Sequence, residues 1–209
     1  TSIGYGKIGL HPHKGFEIMS YVLEGEIGHR DTLGMVSQVQ TGGAQVMQTG
    51  SGISHEEEFL GDPTEIFQIW FEPDLRDAVK RAPIYQEIHD QDFPVMRGDG
   101  VREKKIIGKD APVSLASQAT MQDVTIEPGQ IYSRKLPAGR NLAVVTISGS
   151  GTWRQQAAAG RNLTTQAKDF TVIQTGEDAT VSIAADSKQG LRLAIIEIPK
   201  AVNYPLYPR

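Results

Sequence analysis

Short runs rich in Val, Ile, Thr and aromatic residues, each closed off by Gly or Pro, recur from one end of this chain to the other. Branched and aromatic side chains pack well on a pleated surface and lose rotamer freedom in a helix, so such runs favour strands. The pattern predicts strands at Glu17 to Leu23, Gln45 to Thr49, Glu65 to Phe71, Val124 to Glu127, Leu142 to Ile147, Phe170 to Gln174, Thr180 to Ala184 and Leu191 to Ile198. Only Asp74 to Arg81, following Pro73 and stopping before Pro83, has helical character. The stretch Gln155 to Gln166, with Ala-Ala-Ala-Gly-Arg-Asn at its centre, reads as a loop or hairpin tip. The fold class expected is all-β with few short helices.

A long-period repetition divides the chain. Tyr21-Val22-Leu23-Glu24-Gly25 has a counterpart in Val145-Thr146-Ile147-Ser148-Gly149, at an offset of 124. Val46-Met47-Gln48-Thr49-Gly50 matches Val172-Ile173-Gln174-Thr175-Gly176, and Ile69-Trp70-Phe71-Glu72-Pro73 matches Ile195-Ile196-Glu197-Ile198-Pro199, both at 126. Three matches in one order imply two copies of a β-domain, each a small closed barrel or sandwich. The domains expected are 1–82 and 110–209. Residues 83–109, where Pro83, Pro94 and a dense mixture of charges interrupt the strand pattern, are expected to link them.

Composition removes several function classes. Twenty-one Lys and Arg against 25 Asp and Glu give a net charge of −4, with no basic run to neutralise a row of phosphates, so no direct nucleic-acid partner is expected. The absence of cysteine excludes disulfide scaffolds, thiolate zinc sites, iron–sulfur clusters and Cys nucleophiles, leaving His and carboxylates for any metal. No apolar run or leader pattern points to a membrane, and a soluble, cytoplasmic protein is the expectation.

The five histidines stand at 11, 13, 29, 55 and 89, none in the second copy. His11-Pro12-His13 and His55-Glu56-Glu57 each place potential ligands at i and i+2. On a helix such pairs diverge, whereas on a strand they share one face. Two adjacent strands inside a barrel therefore present His11, His13, His55 and Glu57 to one ion. Three imidazoles and a carboxylate suit Fe(II), Mn, Ni, Cu or Zn, and leave positions for substrate and O₂ on an ion that holds six ligands. Gly50 and Gly52 let the backbone turn sharply just before His55. Glu17 shares the parity of His11 and His13, as a further ligand or a supporting group, although Gly15 weakens that parity. His29, between Gly28 and Arg30-Asp31, reads as an exposed turn residue, and His89 as part of the polar linker. Phe16, Met47, Phe59 and Phe67 read as core packing, and no substrate-binding residue is assigned.

The sequence resembles the pirin family of the cupin superfamily. His11-Pro12-His13-Lys14-Gly15-Phe16-Glu17, followed by Tyr21-Val22-Leu23-Glu24-Gly25, is similar to the family's HPH(R/K)GFE and YVLEG signature. Gly50-Ser51-Gly52-Ile53-Ser54-His55-Glu56-Glu57 resembles its second motif, and Phe67-Gln68-Ile69-Trp70-Phe71-Glu72-Pro73 its L-Q-I-W strand. The resemblance implies a bicupin of two jelly-roll barrels, the first binding one divalent metal, most often iron, and the second without ligands. It places the ligands on His11, His13, His55 and Glu57 and leaves Glu17 uncoordinated. It also implies a quercetin 2,3-dioxygenase-like oxidoreductase, in which Glu57 helps deprotonate the flavonol's 3-hydroxyl before O₂ opens the central ring and carbon monoxide leaves. Ten residues precede His11, fewer than the family carries, so residues upstream of Thr1 are expected in the natural chain.

Two further readings stand beside that one. The first is a metal-containing regulatory protein that docks on a protein partner without turning over a flavonol, as the eukaryotic pirins' coregulator role implies. The other is a metal-free scaffold. The tail Tyr204-Pro205-Leu206-Tyr207-Pro208-Arg209 is expected to pack within the molecule or at a dimer interface.

Overall fold

The structure, a computed structural model, describes residues 5–155 and 162–208. It is all-β apart from single helical turns, and the chain forms two compact units, residues 1–93 with 204–209 and residues 94–203.

The first unit contains β1 (Gly6–His13), β2 (Glu17–Glu24), β3 (Glu26–Asp31), β4 (Val36–Gln40), β5 (Ala44–Gln48), β6 (Ile53–Phe59), β7 (Glu65–Phe71), a one-turn helix α1 (Leu75–Ala78) and β8 (Ile84–Ile88). The strands form two antiparallel sheets, β1-β6-β3-β4 and β7-β2-β5-β8. Ile18, Ser20 and Val22 fall on one face of β2 by the two-residue period. Ile18 joins Met47 and Ile53 in one apolar cluster, and Val22 joins Ile27 and Val39 in another. Ser20 therefore brings a hydroxyl to a face that is otherwise apolar. Near its C-terminal end this unit also takes in the tail, where the Tyr204 hydroxyl donates to the Glu72 carbonyl at 3.0 Å and the Tyr207 N–H to the Glu72 carboxylate.

The second unit contains β9 (Val95–Gly98), β10 (Val101–Ile107), β11 (Thr120–Ile126), β12 (Ile131–Leu136), β13 (Arg140–Gln155), β14 (Leu163–Gln166), β15 (Phe170–Gln174), β16 (Ala179–Ala185) and β17 (Leu191–Pro199). The main path runs β12-β16-β13-β17-β11-β10-β9, with β14 and β15 also on β13. The 16-residue β13 pairs with β15 through its first half and with β14 and β16 through its second, so one strand serves two sheet surfaces. Val124, Ile126, Leu136, Leu142, Val144, Trp153, Val181, Ile183, Leu191, Leu193 and Ile195 close around one continuous apolar core.

The repetition is visible in the pairing. β2 lies between β5 and β7 as the first half of β13 lies between β15 and β17. Glu17 stands opposite Gln48, and Asn141 opposite Gln174. The ladder with β7 breaks between Val22 and Glu24, and the ladder with β17 breaks between Thr146 and Ser148.

Three local expectations meet a different structure. Residues 83–109 are woven into the sheets, β8 onto the edge of the first unit beside β5, and β9 and β10 into the second. β8 and β9 are terminal strands, largely exposed, and an edge strand carries polar residues without cost, which is why they resemble a linker in composition. The helix spans one turn instead of Asp74 to Arg81. Asp74 caps it by accepting from the Arg76 N–H at 3.1 Å, and the bonds from Lys80 and Arg81 then close three residues back, tightening the chain ahead of Pro83. Of the loop expected at Gln155 to Gln166, residues 156–161 lie outside the described residues, and Leu163–Gln166 is a strand paired with Ser150 to Trp153. Among the described residues no helix is long and apolar enough to cross a membrane.

Candidate metal centre

Two backbone devices aim the histidines. β1 and β6 pair with His11 opposite His55 and His13 opposite Ile53, and the register shifts between Ile8 and His11. Such a bulge re-aims the side chains beyond it. In the loop before β6, Gly50 has φ of +49° and Gly52 of +132°. A Cβ at Gly50 would sit 2.5 Å from the Arg81 carbonyl oxygen, so that turn accepts no side chain. The Gly15 N–H donates to the Gly50 carbonyl at 3.0 Å, tying the segment after β1 to the turn that delivers His55.

His11, His13 and His55 offer ligand atoms that all lie within 4.8 Å of one another, the only such group of three among the described residues. Their ring centroids are 4.5 to 5.0 Å apart. His11 Nδ1 lies 2.8 Å from the Gly9 carbonyl, which only accepts, so Nδ1 carries the proton and Nε2 keeps its lone pair. His55 is buried, and its Nε2 has no hydrogen-bond partner. A buried nitrogen without a partner is costly unless something absent from the polypeptide takes its lone pair. Burial, with the neighbouring imidazoles, pulls the His55 pKa down to about 3, and the same causes lower that of His13. Unprotonated imidazole is the form a metal requires. This donor set fits a divalent first-row ion.

Glu57, on the same face of β6, turns its carboxylate to three donors from the opposite sheet. Ser20 on β2 donates to Oε1 at 3.2 Å, Gln45 on β5 also to Oε1, and Gln68 on β7 to Oε2 at 2.9 Å. Glu57 is thus not in the three-histidine group, although it shares the strand and the parity of His55. Glu17 lies on the other sheet and accepts from the Gln48 amide at 2.7 Å. Beside the histidines, the half-exposed Trp70 indole meets His13 edge-on at 4.8 Å, and Phe16 lies 5.6 Å from Trp70 and 6.1 Å from Tyr207.

His29 is buried, contrary to the exposed turn position its neighbours imply, because β3 runs beside β6 and places His29 opposite Glu57 and Asp31 opposite His55. Its Nε2 lies 3.0 Å from Asp31 Oδ2, its Nδ1 lies 3.4 Å from His55 Nδ1, and its ring stacks on Tyr85 at 4.1 Å. Tyr85 in turn hydrogen-bonds Ser37, and burial raises its pKa. His29, Asp31 and Trp70 reach the cluster only through which strands lie alongside, which residue spacing within one strand does not show. His89 is half exposed and pairs with Glu87.

A family model described as Pirin matches residues 2–71. A pirin-like protein of Solanum lycopersicum is 30% identical over 191 residues, covering 89% of this chain and 63% of that one. The chain spans from 45% to 63% of the length of the first curated pirin-like relatives it matches. A quercetin 2,3-dioxygenase structure from Acinetobacter baumannii superposes with TM-score 0.83 at 22% identity, covering 100% of this chain and 73% of that one. The Escherichia coli pirin YhhW in complex with nickel(II) superposes with TM-score 0.77 at 23% identity, covering 96% and 79%. At those identities the two structures share the fold, the paired cupin barrels. The motifs, the histidine cluster and these matches agree, and the chain belongs to the pirin family of the cupin superfamily.

Proposed function

We propose that the first unit is the catalytic part of a metal-dependent dioxygenase that opens a flavonol such as quercetin with O₂ and releases carbon monoxide. Fe(II) is the ion assigned, with Mn, Ni, Cu and Zn compatible with the same ligands. Held by His11, His13 and His55, such an ion supplies Lewis-acid activation of a hydroxyl and the redox chemistry that lets O₂ react with an electron-rich ring. The single observation that carries the reading is the convergence of three imidazoles, one with an orphaned Nε2, beside a half-exposed indole and with the Glu57 carboxylate two residues along β6 from His55.

The chain's own residues divide the remaining work. Trp70 and Phe16, their rings tilted 54° to each other, offer an apolar flank for an aromatic substrate, supplying burial and orientation. Glu57 accepts the proton of the substrate's hydroxyl, and its three donors hold the carboxylate still while it does so. That proton returns to the ring-opened acid as product leaves, so Glu57 ends each cycle as it began. As a carboxylate Glu57 would also serve as a fourth ligand to that ion, which couples coordination to proton transfer at one side chain.

The test is metal analysis of the purified protein joined to a spectrophotometric quercetin assay with and without O₂. Aerobic bleaching lost anaerobically and in His55→Ala supports the dioxygenase. Glu57→Gln is expected to hold its metal more weakly and to lose about 100-fold or more in kcat, and stoichiometric metal retained in it counts against Glu57 as a ligand. Stoichiometric metal with no turnover of any flavonol favours the other reading, a metal-containing regulatory protein.

A further inference from the structure

We propose that Asp31 and His29 act as a two-residue tautomer relay that fixes the proton of His55 on Nδ1 and so presents its Nε2 lone pair to the metal. The inference rests on the metal reading above and concerns residues that lie behind the ligand, not in the ligand set.

The relay follows from which atoms can donate. Asp31 is anchored first: its Oδ1 accepts the N–H groups of Leu33 at 2.8 Å and Met35 at 3.1 Å, which fixes the carboxylate in the turn after β3. Its Oδ2 then faces His29 Nε2 at 3.0 Å. A carboxylate only accepts, so the proton of the neutral His29 ring stands on Nε2 and the Nδ1 lone pair is left over. That Nδ1 faces His55 Nδ1 at 3.4 Å, and two ring nitrogens can share a hydrogen bond only if one of them donates. His55 must therefore carry its proton on Nδ1. The atom left unprotonated is Nε2, the one buried nitrogen of the cluster with no partner in the protein. The reverse arrangement would bury a His55 Nε2–H donor with nothing to accept it, the costlier of the two tautomers. Stacking of His29 on Tyr85 keeps the ring from turning away.

The second unit shows that this polar pair is not required by the fold. Trp153 occupies on β13 the place of His29 on β3, opposite Ile183 as His29 is opposite Glu57, and it belongs to the apolar core. In the first unit the same place on the frame carries an imidazole paired with a carboxylate, directly behind His55. Partners behind a metal-bound histidine characteristically set its tautomer and are worth 10–100-fold in metal affinity.

Asp31→Asn inverts the relay without changing its shape. The Asn oxygen still caps the turn, while its amide now donates to His29 Nε2, which drives the His29 proton to Nδ1 and the His55 proton to Nε2. The experiment measures Ni(II) affinity of the full chain by competition with a chromophoric chelator, together with ¹⁵N shifts of the imidazoles in the metal-free protein. Wild type is expected to show His55 protonated on Nδ1, and Asp31→Asn to show it on Nε2 with Ni(II) binding weakened about 10–100-fold. His29→Leu should weaken Ni(II) to a similar degree, and His29→Asn, whose carbonyl can reach the His29 Nδ1 position, should recover most of it. A wild-type His55 protonated on Nε2, or an Asp31→Asn affinity within twofold of wild type, overturns the relay. His55→Ala separates the two claims. Ni(II) uptake unchanged in that variant sinks the metal reading, whereas uptake lost there and kept in Asp31→Asn and His29→Leu sinks the relay alone.

Discussion

The two units use the same strand pairings around opposite interiors. On the frame that places Ser20 opposite Gln45, the second unit places Val144 opposite Thr171. Where the first pairs His29 with Glu57, the second pairs Trp153 with Ile183, and where the first sets His11 against His55, the second sets Arg134 against Val181. Val144, Trp153, Val181 and Ile183 all belong to one apolar core, whereas Ser20, His29, His55 and Glu57 form a polar network between two small apolar clusters. The frame thus accepts either filling. One gives a packed barrel whose stability comes from buried apolar surface, and the other gives up part of that surface to hold ionisable groups in place.

The largest way to break the comparison is to put the first filling into the second frame. Ile183→Glu buries a carboxylate with no donors arranged for it, and the second unit should lose more than about 4 kcal/mol in urea unfolding. A wild-type midpoint would show that its interior is not the sealed core described. Leu142→Ala, deep in that core, is expected to cost about 2–5 kcal/mol. Acid sharpens the contrast, because all five histidines lie in the first unit. Burial holds the folded His55 pKa down at about 3, against the ordinary imidazole value of 6.5 when unfolded, so below 6.5 the unfolded chain takes up a proton that the metal-free folded state refuses. Stability of the first unit should therefore fall as pH drops through that window, by about 1.4 kcal/mol per pH unit for this group. The two tryptophans, one per unit, report the units separately by fluorescence, and a pH-independent Trp70 transition between 6.5 and 5 would contradict the assignment. Ser20→Ala should have the smallest effect, about 1 kcal/mol, since Glu57 keeps its bonds from Gln45 and Gln68.

Those opposite interiors also decide what the residues reveal before folding. Strands that bury apolar side chains, such as Thr180 to Ala184 and Leu191 to Ile198, announce themselves by composition. Strands that carry the polar interior do not: Glu26 to Asp31 contains Gly28, His29, Arg30 and Asp31, which locally resemble a turn. Only the pairing of β3 with β6, which lines up Asp31 with His55, buries them. The His11, His13 and His55 group is legible because the two-residue period requires no knowledge of neighbours, whereas His29 depends on which strand lies alongside. Trp70 is hidden for the same reason, since its contact with His13 joins different sheets.

The hold of Glu72 on Tyr204 and Tyr207 means that the first unit is completed by residues made after all of the second. A ribosome delivering this chain releases the histidines early, yet the segment that brings Tyr207 beside Phe16 emerges only once residue 203 has passed. Maturation of the histidine-bearing barrel thereby waits until the second unit has been synthesised, and until then that aromatic flank is unfinished.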